Sequence, residues 1–137
     1  MKPVLYVCAP FATRTLAEAA LTDAAIRGAL ELGYVPVFAP YLYDRVISDT
    51  FPSERELALQ ACEVLIAKSD AFLVVGDRLT AGMERDLAAW RKLLDGPHDG
   101  VLPTYRWPEL PQAGAEWWRT PRAGVSARAA SDLGGGL

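Results

Sequence analysis

Short apolar runs alternate with helix-like patterns along the chain, and this alternation limits the possible folds more than any other feature. Continuous apolar segments at Val4–Cys8, Val35–Phe38 and Ala71–Val75 are typical of strands that are buried on both faces. Between them, apolar residues recur with a helical period over about 16–32 and 53–68. Strands that are separated by single helices predict right-handed crossovers and a mainly parallel sheet.

The later elements complete the predicted sheet. A helix pattern starts near Gly82 and ends at Gly96, and a fourth strand is expected at 101–105. Pro36 suggests that the second strand lies near an edge. The first and third strands are the most apolar, so we expect them at the centre of an α/β fold.

The charge of the chain bears on the class of ligand. The formal net charge is −3 over 137 residues, whereas a protein that binds nucleic-acid polymers is usually basic. A small nucleoside or nucleotide ligand is compatible with this charge. No stretch is apolar over a length that could span a membrane, so we expect a cytoplasmic protein with neither a nucleic-acid polymer nor a membrane as partner.

The usual signatures of metals and cofactors are missing from the sequence. Cys8 and Cys62 lack metal-type spacing and are expected to be buried, reduced thiols. The single histidine, His98, has no cysteine neighbours, which argues against a structural zinc site. The first loop, Ala9–Ala12, lacks both the dinucleotide-binding glycines and the P-loop lysine. We therefore predict neither a metal nor a cofactor.

The loop after the third strand is the strongest candidate for a ligand site, because ligands of open α/β sheets bind beyond the carboxyl ends of strands. Asp86 follows this loop, in the first turns of a helix whose N-terminus keeps a carboxylate ionised. Beside a bound sugar, such a carboxylate can attack the anomeric carbon. The alternative is an ordinary solvated acid. The loop residues that we assign to ligand binding are Asp77, Arg78, Thr80, Gly82 and Met83.

Two other loops are expected at the same edge of the sheet. They begin after the first and second strands and contain Pro10, Phe11 and Tyr41. The two aromatic rings are suited to stacking on a planar base, and we assign all three residues to substrate binding. The alternative is that these rings simply cover the core.

The order of these motifs resembles a set of small domain-of-unknown-function proteins that are similar to nucleoside 2-deoxyribosyltransferases and nucleotide N-glycosidases. The resemblance covers about residues 4–94. It implies a flavodoxin-like (Rossmann-like) three-layer sandwich with a mainly parallel sheet of four to five strands. The segments that carry it are Tyr6–Ala12, Gly33–Pro36 with Ala39–Pro40, Pro52–Glu56 and Gly76–Met83.

The resemblance also implies a reaction and roles for three residues. The reaction is cleavage or transfer at an N-glycosidic bond through a covalent glycosyl-carboxylate. Asp86 occupies the position of the nucleophile, Asp70 that of an aspartate that orients the nucleoside, and Tyr6 that of a tyrosine near the nucleophile. Active sites of these families commonly borrow residues from a neighbouring subunit, so a homodimer or larger homo-oligomer is expected.

Two departures from the family pattern leave alternatives open. Asp86 is one methylene shorter than the glutamate of the relatives, and a misplacement of about 1 Å can cost on the order of 100-fold in rate. The first loop lacks the serine and arginine cluster that reads a 5′-phosphate, for which Arg78 and Thr80 could substitute. The expected activity is therefore N-glycosidic hydrolysis or deoxyribosyl transfer, and the alternative is a catalytically weakened module that binds a nucleoside or nucleotide.

Composition changes towards the C-terminus. Residues 97–121 are rich in proline and tryptophan, and the last residues are small, with three consecutive glycines. We predict a nucleoside 2-deoxyribosyltransferase-like domain over 1–106, followed by a Pro/Trp-rich extension and flexible tail over 107–137. A further alternative is an assembly protein whose tryptophan-rich segment docks on a partner.

Overall fold

The structure is a computed structural model that describes residues 2–48, 50–98 and 101–113. Strands and helices alternate, as the sequence predicts. In chain order the elements are β1 (Val4–Cys8), α1 (Leu16–Glu31), β2 (Val35–Val37), α2 (Ala39–Tyr43), α3 (Pro52–Ala67), β3 (Ala71–Val74), α4 (Ala81–Asp95) and β4 (Thr104–Arg106).

The four strands form a parallel sheet in the order β2-β1-β3-β4. The predicted central position of β1 and β3 and the predicted edge position of β2 are thereby confirmed. In this order the chain leaves β1 towards one edge of the sheet and leaves β3 towards the other. In folds of this type the usual ligand position is beyond the carboxyl ends of the two strands at which this direction changes, which here are β1 and β3.

Alternate residues of the strands face two separate core layers. Leu5 and Val7 of β1 pack with Ala25 and Ala29 of α1 on one face of the sheet. On the other face, the side chains of α3 and α4 pack against β1 and β3, and the buried residues are Tyr6, Cys8, Ile66, Phe72, Val74, Met83, Leu87, Trp90 and Leu94. The fold is thus a three-layer α/β sandwich of the flavodoxin-like type.

The starts of α1 and α3 show which local sequence signals determine where a helix begins. Thr15 and Glu18 have the spacing that predicts a capping box. The box is present, since Thr15 Oγ1 accepts from the Glu18 amide at 3.1 Å and a Glu18 carboxylate oxygen accepts from the Thr15 amide at 2.9 Å. Ser53 and Glu56 have the same spacing, but the capping box that it predicts is wrong. The α3 helix begins at Pro52, and Phe51 precedes it without a side-chain cap, because proline is well suited to the first helical position.

Residues 107–113 pack onto the domain. Trp107 lies against Gly28 of α1, and the Ala113 amide donates to the Leu32 carbonyl at 2.8 Å. Leu110 and Ala113 are buried in the α1-side core. Packed residues therefore continue past the predicted boundary at residue 106. The rest of the predicted extension, with Trp117 and Trp118, lies outside the described residues.

Candidate active site around Tyr6 and Asp86

The structure brings Tyr6 and Asp86 together. Tyr6 is fully buried in β1 and stacks on Phe72 of β3, with 5.5 Å between ring centroids. Its hydroxyl donates to Asp86 Oδ2 at 3.0 Å. Asp86 is half-buried in the second turn of α4. Two residues that lie 80 positions apart in the chain thus form one hydrogen-bonded pair.

The first turn of α4 is fixed by two contacts that place Asp86 over β1. Thr80 caps the helix, and its Oγ1 accepts from the Met83 amide at 3.2 Å. The Cys8 thiol of β1 donates to the Met83 carbonyl at 3.7 Å. Met83 itself is buried in the core. Thr80 and Met83, which were assigned to ligand binding, therefore have structural roles at the start of α4.

Burial gives the pair unusual acidities. Desolvation raises the pKa of Asp86 to about 6, although the Tyr6 hydroxyl and the nearby Arg85 charge both act to lower it. Burial, together with the Asp86 charge, raises the pKa of Tyr6 far above its ordinary value. Tyr6 therefore keeps its proton and donates it, while Asp86 is mainly ionised at neutral pH and can accept a proton near pH 6.

Cys62 of α3 is also part of this cluster, and sequence reasoning did not assign it to the site. It packs, partly buried, against the core layer that contains Tyr6. Burial and the Asp86 charge raise the pKa of Cys62, so the thiol stays neutral. Cys62 is half-buried, whereas Cys8 is buried as predicted. The place of Cys62 in this layer comes from the packing of α3 against the sheet, which leaves no local sequence signal.

Asp70 lies elsewhere. Its carboxylate accepts from the Val4 amide at 2.8 Å, and its own amide donates to the Val4 carbonyl at 2.8 Å. These contacts join the amino ends of β1 and β3, because Asp70 directly precedes β3. The structure therefore gives Asp70 a role in fastening the sheet and does not bring it to the Tyr6–Asp86 pair.

Phe11 of the first loop packs on Tyr41, which the structure places in α2 and not in the predicted loop. Phe11 and Tyr41 meet edge to face, with 6.2 Å between ring centroids. The Arg14 guanidinium lies over both rings, at 4.9 Å from the centroid of Phe11 and 5.4 Å from that of Tyr41. The Tyr41 hydroxyl accepts from Arg14 at 3.2 Å and donates to Asp23 at 2.5 Å. A stacked base would have to share or displace Arg14.

Arg14 is a residue that sequence reasoning missed. It lies two residues after Ala12, where the motif ends. The loop after β1 lacks the serine and arginine cluster of the family, but it does contain this one arginine. A cation over an aromatic face is attracted by the ring quadrupole. This attraction holds Arg14 at the carboxyl edge of the sheet.

Arg78 joins the loop after β3 to the start of α1. Its guanidinium binds both carboxylate oxygens of Glu18 in the first turn of α1, at 2.6 and 3.0 Å. Hydrogen bonding by Arg78 is the main reason why the pKa of Glu18 falls to about 2. Asp77 is exposed in the same loop. The predicted binding residue Arg78 is thus engaged with Glu18, and this pair joins the loop after β3 to the first turn of α1.

The remaining predicted positions differ in how tightly they are packed. Pro10 is buried, and its ring is 3.6 Å from the point where a Cβ on Gly76 would lie. Gly76 has a φ of 97°, which favours glycine. Its carbonyl also accepts from Arg106 at 3.0 Å. At Gly82 a Cβ would meet only Thr80 Oγ1, at 3.9 Å, so Gly82 leaves open space beside the start of α4.

The family model described as "Domain of unknown function (DUF7768)" matches residues 3–94. The chain belongs to this family. The matched DUF7768 region runs from β1 to the last turn of α4, so it includes both Tyr6 and Asp86. Comparison with curated proteins gave no match.

Within the described ranges, no group of three His, Cys, Asp or Glu residues could hold a metal ion. Two open clefts, of about 580 and 480 Å³, lie along α4 and between α3 and α4, and neither is lined by Tyr6 or Asp86. None of the helices that the structure describes is both long and apolar enough to cross a membrane.

Proposed function

We propose that this DUF7768 chain cleaves or transfers the N-glycosidic bond of a nucleoside or nucleotide, with Asp86 as the nucleophile. The observation that carries the proposal is the 3.0 Å hydrogen bond between the Tyr6 hydroxyl and Asp86 Oδ2, which joins the central strand β1 to α4. A carboxylate in this setting can form a glycosyl ester at the anomeric carbon.

The proposed steps use groups that the structure brings together. Asp86 attacks the anomeric carbon, and the base leaves with the electron pair of the N-glycosidic bond. The Tyr6 hydroxyl, which stays protonated, holds the Asp86 carboxylate in one orientation. Water then hydrolyses the ester, or a second base takes the glycosyl group. Open space beside Gly82 would admit the sugar at the start of α4.

The test is release of free base from a panel of nucleosides, 2′-deoxynucleosides and their 5′-monophosphates, followed by liquid chromatography. Asp86→Asn keeps the size of the side chain and removes the charge, so we expect it to abolish release. Glu84→Gln is the matched control, because Glu84 is exposed on the same helix and should leave release unchanged. If no substrate yields base, or if Asp86→Asn is as active as wild type, the proposed reaction is wrong.

A second candidate is a module that binds a nucleoside or nucleotide without cleaving it. It is favoured by the position of Asp86, which is half-buried, engaged with Tyr6 and one methylene shorter than the glutamate of the resembling enzymes. Such a module would gain stability from its ligand, by about 2.7 kcal/mol at a concentration of 100 Kd. The expected result is a higher melting temperature with the ligand recovered intact, and no shift across the same panel would exclude it.

The assembly alternative has less support in the described residues. Trp107 is partly buried against Gly28 of its own domain, so this tryptophan already contributes to packing within the domain. The homodimer or larger homo-oligomer that the resemblance implies stays a prediction, and light scattering of the purified chain would measure it.

A further inference from the structure

The outward face of α3 carries an uncharged stripe that the described part of the domain leaves exposed. The stripe consists of Ser53, Leu57, Gln60, Val64 and Ala67, and all five residues are exposed. They follow one another at alternating intervals of four and three residues, as the a and d positions of a coiled-coil heptad do. Side chains with this spacing lie in one line along a helix. These five residues form the α3 stripe.

The α3 helix is poorly buried in its own domain. Ile66 is the one fully buried residue of its 16 residues, all of which the structure describes, whereas α4 buries four of its 15 residues. Leu57 and Val64 of the α3 stripe are 61% and 53% exposed. Most helices in proteins are stabilised by the packing of an apolar face, and exposed apolar patches mark interaction sites. We therefore expect the α3 stripe to pack against another surface.

The α3 stripe has nearly the same spacing in both directions, which suits it to a second copy of itself. When two α3 helices are placed antiparallel with Gln60 at the centre, Leu57 faces the partner's Val64. In the same register, Ser53 faces the partner's Ala67. The two Gln60 side chains then meet on the two-fold axis, where each amide can donate to the other and accept from it. Such a self-complementary surface is typical of a two-fold interface.

The charges beside the α3 stripe fit the same antiparallel pairing. On one flank, Glu54 in the first turn of α3 would face the partner's Lys68, and the two-fold axis repeats this pair. On the other flank, Glu56 would face the partner's Glu63. Arg85 of α4 already binds Glu63 at 3.3 Å, so its guanidinium lies at the same level and can serve both carboxylates. Opposite charges are thus available on both flanks.

We infer that α3 is a homodimer interface, in which two copies of the chain pack their α3 stripes antiparallel about a two-fold axis at Gln60. Within one chain the Gln60 amide donates to Glu56 at 3.5 Å, which leaves its oxygen for the partner. The 16 residues of α3 span about 24 Å. An interface of this length is small, so we expect a dimer that dissociates on dilution.

Sedimentation equilibrium of the full chain tests the interface, because it separates the 14.9 kDa chain from a dimer of twice that mass. Val64→Glu places a charge in the interface and should raise the dissociation constant by about 100-fold or more. Gln60→Glu, which places two carboxylates on the axis, should act in the same direction. Leu30→Glu is the matched control, because Leu30 of α1 is 55% exposed, and it should leave the constant unchanged. Circular dichroism checks that each variant is folded.

A charge reversal with rescue tests the antiparallel register. Lys68→Glu would set like charges opposite each other at two symmetry-related positions, and we expect the dissociation constant to rise about 10-fold. Adding Glu54→Lys to this variant restores opposite charges and should recover the wild-type constant. In a parallel pair of helices these two residues would lie at opposite ends, so the second substitution would give no recovery.

Three results would overturn the inference. A wild-type chain that stays monomeric at millimolar concentration would leave the α3 stripe to a different protein. Dimerisation of Val64→Glu and Gln60→Glu at the wild-type concentration would place the interface elsewhere, and dissociation by Leu30→Glu would place it on α1. Absence of rescue by Glu54→Lys would exclude the antiparallel register. Each result is read from molecular mass, so it is distinct from the failure of base release that would refute the proposed reaction.

Discussion

Ionisation of the buried Asp86 carboxyl lowers the stability of the folded state. Burial raises its pKa to about 6, so between about pH 4 and pH 6 the folded state holds a proton that the unfolded state has lost. Stability from this group is therefore lost as pH rises through that window, and the cost is fully present above it. Carboxylates at functional sites often lower the stability of the fold in this way.

Asp86→Asn removes this ionisation and keeps an oxygen that can accept from Tyr6. We expect the free energy of unfolding to rise by roughly 1–2 kcal/mol at pH 8, with little change at pH 4. Urea unfolding of both proteins at the two pH values measures the difference. Glu18, whose pKa is lowered to about 2, is present in both proteins and cancels. Equal stability at pH 8 would show that Asp86 is better solvated than its position indicates.

Tyr6→Phe tests the other half of the pair. The variant keeps the stacking on Phe72 and loses the hydroxyl that lowers the pKa of Asp86. We expect kcat/KM for base release to fall about 10- to 100-fold, the range for loss of a hydrogen bond to a charged group. The acidic limb of the pH profile of kcat/KM should move to higher pH, because Asp86 takes up a proton more readily in this variant. Tyr105→Phe, on β4, is the control and should leave the pH profile unchanged.

At the scale of elements, contacts between distant helices and loops decide what local patterns leave open. The apolar spacing of Leu57, Ala61, Val64 and Leu65 on α3 predicts one buried face, yet Leu57 and Val64 are exposed and Ile66 is buried. The helical period of the apolar residues defines an apolar stripe on the helix. How the helix packs on the sheet decides which residues of that stripe are buried. The α1 capping box was predictable because all its partners lie within one turn.

Two helical glycines give a matched test of element packing. A Cβ at Gly28 of α1 would overlap the Trp107 ring, whereas at Gly82 of α4 it would meet only Thr80 Oγ1 at 3.9 Å. We expect Gly28→Ala to destabilise the domain by about 1–3 kcal/mol through overpacking. Gly82→Ala should be neutral, or stabilising by up to about 1 kcal/mol, because alanine favours helix. Thermal unfolding of both variants checks this, and a stabilising Gly28→Ala would show that Trp107 is readily displaced.

For the whole molecule, the alternation and apolar character of the strands predict the parallel sheet and its central strands, and the family resemblance predicts that Tyr6 lies near Asp86. The positions of Asp70 and Arg14 were not predictable in the same way. Asp70 bonds to Val4 at the opposite end of the sheet, and Arg14 depends on one ring from the first loop and one from α2. Such contacts depend on loop conformation, for which the sequence offers no periodic signal.

The extent of the domain is the remaining property of the whole molecule that can be tested directly. Residues 107–113 supply the buried Leu110 and Ala113, the Pro111 carbonyl that accepts from Tyr34 at 2.9 Å, and the Trp107 ring against α1. A chain that ends at residue 106 would expose this side of the core. Burial of a large apolar side chain contributes about 1.5–3 kcal/mol, so we expect that chain to be several kcal/mol less stable than one that ends at residue 113.

Urea unfolding of the two shortened chains isolates the contribution of residues 107–113, because every later residue is absent from both. The chain that ends at residue 113 should unfold cooperatively. The shorter one should have a lower midpoint and a smaller m-value, since less surface is buried in its folded state. Equal midpoints would mean that β4 already closes the domain, and the boundary predicted at residue 106 would then stand. Because residues 107–113 lie on the α1 side of the sheet and Asp86 on the other, the two chains should share the same Asp86 titration.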